Sequence, residues 1–114
     1  NKMTNISQSQ AIDLIESTRD GGTIFNVTFI KRTNGEVRNM NARLGVKRGQ
    51  NGVGLAFNAK SKNLIVCYDV QKAQEMKAQG MTDEQASKAS YRMINCDSIT
   101  DLNLKGVSYS IEKL

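Results

Sequence analysis

The chain has 114 residues, with 16 Lys and Arg against 11 Asp and Glu, a net charge of +5, a pI near 9.4 and 39% apolar residues. That length suits one domain, 1–114, built on a single modest core, and no apolar run approaches the roughly 18 residues a membrane span needs; neither a transmembrane helix nor a signal peptide is expected. The absence of His removes the commonest general base and metal ligand, so an enzyme, a bound metal or another cofactor is not expected, while the basic balance favours anionic partners.

Residues 7–19 are predicted to form an N-terminal helix. Ser7 and Gln10 make a capping box, Ala11, Leu14 and Ile15 give one apolar face, and Gly21 and Gly22 stop it. From Thr23 the period changes to two. Phe25, Val27 and Phe29 alternate with polar or outward residues, Asn34-Gly35 signals a hairpin, and Val37–Leu44 continues as a strand. On that strand Met40, Ala42 and Leu44 share one face and Asn39, Asn41 and Arg43 the other.

A loop with four glycines, 45–54, follows and matches neither a Walker A loop nor a dinucleotide fingerprint. It reads equally as a flexible connection or as an anion-contacting loop. Residues 55–57 read as a short strand and 64–70 as a buried one. A weakly apolar helical insertion is predicted over 71–90, broken in two at Gly80, with a second capping box at Thr82 and Gln85. Tyr91–Cys96 reads as a strand, 97–102 as a single turn or short strand, Lys105-Gly106 as a turn and 107–111 as the last strand. Cys67 and Cys96 are expected to be buried, reduced thiols.

The pattern predicts a mainly β (α+β) chain, an SH3-like small antiparallel barrel of about five strands, with an N-terminal helix and a helical insertion before the fourth strand. Its charge is concentrated in Lys31–Lys62, where eight cations face one acid, Glu36, a local charge of +7. Phosphate-neutralising Lys and Arg support sequence-independent nucleic-acid binding. The candidates are Arg38 and Arg43 on the strand, Lys47 and Arg48 in the loop, and Lys60 and Lys62 beyond it, with Asn39 and Asn41 offering hydrogen bonds to bases or sugars. A solvated basic face is the plain alternative. Aromatics for stacking are few, and most are expected in the core. Asp69, Asp97 and Asp101 fit turns and caps, with an Asp69–Arg92 ion pair across strands.

The runs Phe29-Ile30-Lys31-Arg32, Met40-Asn41-Ala42-Arg43-Leu44-Gly45-Val46-Lys47 and Tyr91-Arg92-Met93-Ile94-Asn95 resemble small bacteriophage-encoded proteins described as SH3 β-barrel fold proteins, over roughly residues 24 to 111. The chain departs from that pattern where 71–90 separates Tyr68-Asp69 from Tyr91-Arg92. The resemblance implies a barrel fold and the cytoplasm of an infected bacterial cell, and transfers no site residue. Three functions follow as expectations: binding of DNA or RNA through the basic strand and loop; binding of a host protein as a modulator or inhibitor, in anti-defence or host takeover; and, third, capture of a nucleotide. The sequence leaves the oligomeric state open.

Overall fold

A computed structural model describes residues 3–19, 21–44 and 63–112. The alternation of Phe25, Val27 and Phe29 is realised as β2 (Phe25–Ile30), whose three apolar side chains are at most 2% exposed. Each contributes about 1.5–3 kcal/mol of burial free energy. β3 (Val37–Arg43) pairs antiparallel with β2 through six register pairs, from Phe25↔Ala42 to Ile30↔Val37. Their hairpin is present, but not as the two-residue Asn-Gly turn. Lys31 N donates to Glu36 O at 2.8 Å and closes a four-residue loop in which only Gly35 has positive φ. Asn34 instead accepts from Glu36 N and donates to the Glu36 carboxylate, which holds it outside the left-handed region.

Seven described strands form one sheet in the order β1-β7-β6-β2-β3-β4-β5, adding β1 (Thr4–Ile6), β4 (Leu64–Asp69), β5 (Tyr91–Asn95), β6 (Ile99–Leu104) and β7 (Val107–Ile111). All neighbours are antiparallel except β1, which runs parallel to β7. The expected count of about five therefore misses two strands, β1 and β6. The predicted turn over 97–102 resolves into a 3-10 turn, Cys96–Ser98, and the start of β6. Lys105 and Gly106, at φ of 51° and 80°, make the mirror-image turn that β6 and β7 need for a two-residue hairpin.

The helix predicted at 7–19 is α1 (Gln8–Glu16), shorter at its C-terminal end. Its capping box is formed as expected, with Gln10 N donating to Ser7 Oγ and Ser7 N to Gln10 Oε1. Ala11 and Ile15 are fully buried in the core cluster with Ile94, Leu102 and Leu44. The insertion is a helical pair, α2 (Val70–Ala78) and α3 (Asp83–Ala89). Gly80, at φ 102°, ends α2 in a paired cap, Gly80 N donating to Lys77 O and Met81 N to Met76 O. Thr82 and Gln85 cap α3 reciprocally. α2 buries no side chain completely, and α3 buries Ala86.

The sheet curls back on itself around the core without closing. β3 and β4 share only the pairs Ala42↔Asp69 and Arg43↔Tyr68, so the β2–β3 and β4–β5 hairpins splay apart beyond them. At the other end Asn95 Nδ2 and Ser98 Oγ both donate to Ile30 O, at 3.1 and 2.8 Å, bringing the edge strand β5 against β2 with no ladder between them. The architecture is mixed α+β and mainly β, an open curled sheet with three described helices. Among the described residues no helix is long and apolar enough to cross a membrane.

Candidate functional site

Strand parity divides the predicted basic cluster. Arg38 shares the inward face of β3 with Met40 and Ala42, whereas Arg43 leaves the outward face with Asn39 and Asn41. Five residues at about 3.3 Å each put the two arginines about 16 Å apart along the strand as well as on opposite sides. The structure does not bring them together.

The outward face is an amide array. Asn26 on β2 lies opposite Asn41 on β3 and Asn103 on β6, and Thr28 lies opposite Asn39. Asn26 Nδ2 donates to Asn39 Oδ1 and Asn41 Oδ1, both at 3.1 Å, and Asn26 Oδ1 accepts from Asn39 Nδ2 at 2.9 Å and Asn103 Nδ2 at 3.3 Å. Asn39 Nδ2 also donates to Thr28 Oγ1 at 2.7 Å. Asn39, predicted to read bases, thus spends both ends of its amide on the sheet. Asn41 spends its oxygen, and its Nδ2 has no partner among the described residues.

Across the next strands the outward row continues with aromatics. The register runs Arg43↔Tyr68↔Tyr91, so a guanidinium and two phenol rings stand side by side on three adjacent strands. The rings meet edge to face, centroids 5.6 Å apart at 64°. Burial, and then the neighbouring Tyr68, raise the Tyr91 phenol above its usual range. Phe25 and Phe29 do belong to the core, but both tyrosines are only half-buried and outside it. Sequence reasoning missed this row because Tyr68 and Tyr91 are 23 positions apart and become neighbours only through β4–β5 pairing.

Where the curl stops, between the outer edge of β5 and the β2–β3 hairpin, lies a cleft of about 480 Å³. Lys31, Arg32 and Arg38 line it from the hairpin, Arg92 and Tyr91 from β5, and no carboxylate does so among the described residues. Phe29, Leu64 and Met93 supply its apolar wall. Arg92 is held there by Nη1, which donates to Ala89 O at 3.1 Å and Tyr91 O at 2.7 Å. The Asp69–Arg92 ion pair expected from sequence is not formed, because Arg92 lies opposite Cys67 and Asp69 Oδ1 caps α2 by accepting from Lys72 N. Lys31 makes a loose pair with exposed Glu36 at 3.9 Å, outside the lining. Arg92 was named in the sequence only as an ion-pair partner.

The two other aspartates singled out in the sequence both accept hydrogen bonds: Asp97 from Asn63 Nδ2 at 2.6 Å and Asp101 from Thr100 Oγ1 at 2.9 Å. Among the described residues no three His, Cys, Asp or Glu gather as a metal cluster. Cys67 and Cys96 are free and buried, and burial pushes each thiol up to about 12, with Asp69 and Asp97 as the respective next contributors. Cys67 lies opposite Arg92 while Cys96 is four residues further along the chain, about 13 Å in strand terms and roughly twice the reach of a disulfide. Lys47, Arg48, Lys60, Lys62, the glycine loop 45–54 and the short strand 55–57 lie outside the described residues. No family model, curated protein or solved structure matches the chain.

Proposed function

We propose that the chain is a non-enzymatic nucleic-acid-binding protein. The observation that carries this reading is the row Arg43, Tyr68, Tyr91, whose last member also lines a cleft in which the described charged lining residues are all cations. Base faces stack on aromatic rings at about 1–3 kcal/mol each, and Arg adds a cation–π contribution, so such a row accepts unpaired bases whatever their sequence. The adjoining cations neutralise phosphates. Single-stranded DNA or RNA suits this surface better than a duplex, whose bases are already stacked. Lys47, Arg48, Lys60 and Lys62 enter the reading on sequence alone.

The finer fold assignment belongs here too. Strands β2 to β5 are sequential antiparallel neighbours, and β6, after its 3-10 turn, returns to pair with β2. That connectivity supports an SH3-like barrel left open at β5, extended by β7 and β1. With the sequence resemblance it supports a phage-type protein acting in the cytoplasm of an infected cell.

The test is anisotropy titration of single- and double-stranded DNA and RNA across a salt series. With about four or five phosphate contacts, log Kd for a single strand should rise against log salt with a slope near 3. Replacing Tyr68 by Leu should weaken single-strand binding about five- to fiftyfold. Absence of binding at low salt, or binding with no salt dependence, would refute the reading. One observation favours the host-protein alternative: among the described residues Val37–Asn41 has β2 on one side and no register partner on the other, the backbone pattern that strand addition uses. A protein partner captured there would leave nucleic acid unbound.

A further inference from the structure

The cleft at β5 has a charge arrangement that a strand-tracking surface does not require. A phosphodiester carries one negative charge and is followed by cations spaced along a groove. Here Lys31, Arg32, Arg38 and Arg92 converge on one concavity with no carboxylate among its described lining residues. Arg38 and Arg92 have no carboxylate partner among the described residues, and Lys31 has only its loose pair with exposed Glu36. A phosphate monoester, close to two negative charges at neutral pH and with three acceptor oxygens, matches that density.

The remaining features specify what the monoester is attached to. Arg92 is pinned through Nη1 to two backbone carbonyls, so its fork is oriented before any ligand arrives, and its Nε and Nη2 have no partner among the described residues. Arg38 is half-buried, and its guanidinium makes no hydrogen bond or ion pair with another described residue. Tyr91, Phe29, Leu64 and Met93 line the same cleft, an apolar wall that takes a flat heterocycle and lowers the local dielectric. Alternate residues of an edge strand turn their N–H and C=O outward. Cys96 N donates to Asn63 O and Ser90 O accepts from Asp69 N, so the outward-turned backbone groups of β5 belong to Tyr91, Met93 and Asn95, all of which line the cleft. A cleft of about 480 Å³ lies in the range that holds a small cofactor.

We propose that this cleft binds a nucleoside phosphate monoester, its phosphate held by Arg38, Arg92 and Lys31 with Arg32 at the rim, and its base against Tyr91 and Met93. This deepens the nucleic-acid reading by naming the group recognised, and it rests on that reading only where the monoester is the end of a strand. The monoester has two sources, a free nucleotide or the phosphorylated terminus of a single strand. Both present the same chemistry to the cleft.

The experiment is a set of calorimetric titrations at low salt with AMP, adenosine, inorganic phosphate, and one short single-stranded oligonucleotide carrying a 5′-phosphate, a 3′-phosphate or neither. The expected result is at least tenfold tighter binding of AMP than of adenosine or inorganic phosphate, or of a phosphorylated oligonucleotide than of its hydroxyl form. Arg38→Gln should abolish that preference. It leaves the backbone bonds of Arg92 intact, and a thermal melt verifies folding. A preference confined to AMP identifies the free nucleotide, and one confined to an oligonucleotide identifies the strand end; either supports the site. Equal binding of all three oligonucleotides, with no preference for AMP, would overturn this inference and leave the nucleic-acid reading standing. No binding of any probe would overturn both, and so would a preference that survives Arg38→Gln overturn the assignment to this cleft.

Discussion

Arg38→Gln should make the unliganded protein more stable. Lys31, Arg32, Arg38 and Arg92 line a space of about 480 Å³. Charges across a volume of that size are about 10 Å apart, and at an effective dielectric constant of 20–40 each like pair costs about 0.8–1.7 kcal/mol before screening. At 0.1 M salt the Debye length is also about 10 Å, which leaves about 0.3–0.6 kcal/mol per pair. With Arg92 and with Lys31, whose pair to exposed Glu36 is loose, Arg38 has two such partners, so neutralising it should stabilise the fold by about 0.6–1.2 kcal/mol, a few degrees in Tm for a domain of this size. The assay is urea unfolding at low salt and at 1 M salt, where the gain should largely vanish. Lys88→Gln is the control. Lys88 is exposed in the last turn of α3, where the helix dipole favours a cation, so its neutralisation should cost a few tenths of a kcal/mol. Destabilisation by Arg38→Gln at low salt, or a gain that persists unchanged at 1 M, would refute the picture of like charges repelling across the cleft.

Three further outcomes follow from the structure. Both thiols are neutral in the fold up to about pH 12 but ionise near 9 when unfolded, so their contribution is complete below pH 9 and is lost as pH rises towards 12. Each should withdraw about 1.4 kcal/mol per pH unit in that window, and the Cys67→Ala/Cys96→Ala double variant, though less stable overall, should show a correspondingly shallower alkaline slope in urea unfolding. Lys105 sits at φ 51° in the β6–β7 turn, so Lys105→Asn should raise stability by about 0.5–1 kcal/mol in the same assay. Asn26 joins three other asparagines, and Asn26→Ala should cost about 1–2 kcal/mol. A double-mutant cycle with Asn39→Ala should return a coupling above about 0.5 kcal/mol.

Local signals in the sequence were sufficient for the elements they specify. The alternation of Phe25, Val27 and Phe29, the capping boxes at Ser7 and Thr82, and the break at Gly80 all appear in the fold. β1 was illegible because three residues, Thr-Asn-Ile, carry no period, and its pairing with β7 is non-local. β6 was obscured by a register shift opposite Thr28 and Phe29. Ile99, Leu102 and Leu104 are all buried, but the irregularity at Thr100 spaces the first two by three residues and breaks the period-two pattern. The candidate site suffered from the same limitation. Local charge density grouped Arg38 with Arg43, which strand parity then separated. The partner of Arg38 in the cleft, Arg92, lies more than fifty residues away and arrives only because the sheet curls.

The α2–α3 insertion also bears on how the chain reaches this fold. β4 and β5 share five register pairs, and the innermost, Tyr68↔Tyr91, closes a loop of roughly twenty residues where a hairpin would ordinarily close two. Ring closure over that length costs about 2 kcal/mol more than over a two-residue turn, enough to slow the pairing by about thirtyfold. The two helices offset the delay if they fold first: the Gly80 cap and the Thr82 box are local, and once formed they return the chain to Ser90 beside Asp69, whose N–H donates to the Ser90 carbonyl at 2.9 Å. The tyrosine row would therefore be assembled on the timescale of helix formation, and Gly80→Ala, by disturbing one backbone angle far from either ring, should slow the folding of the protein as well as lower its stability.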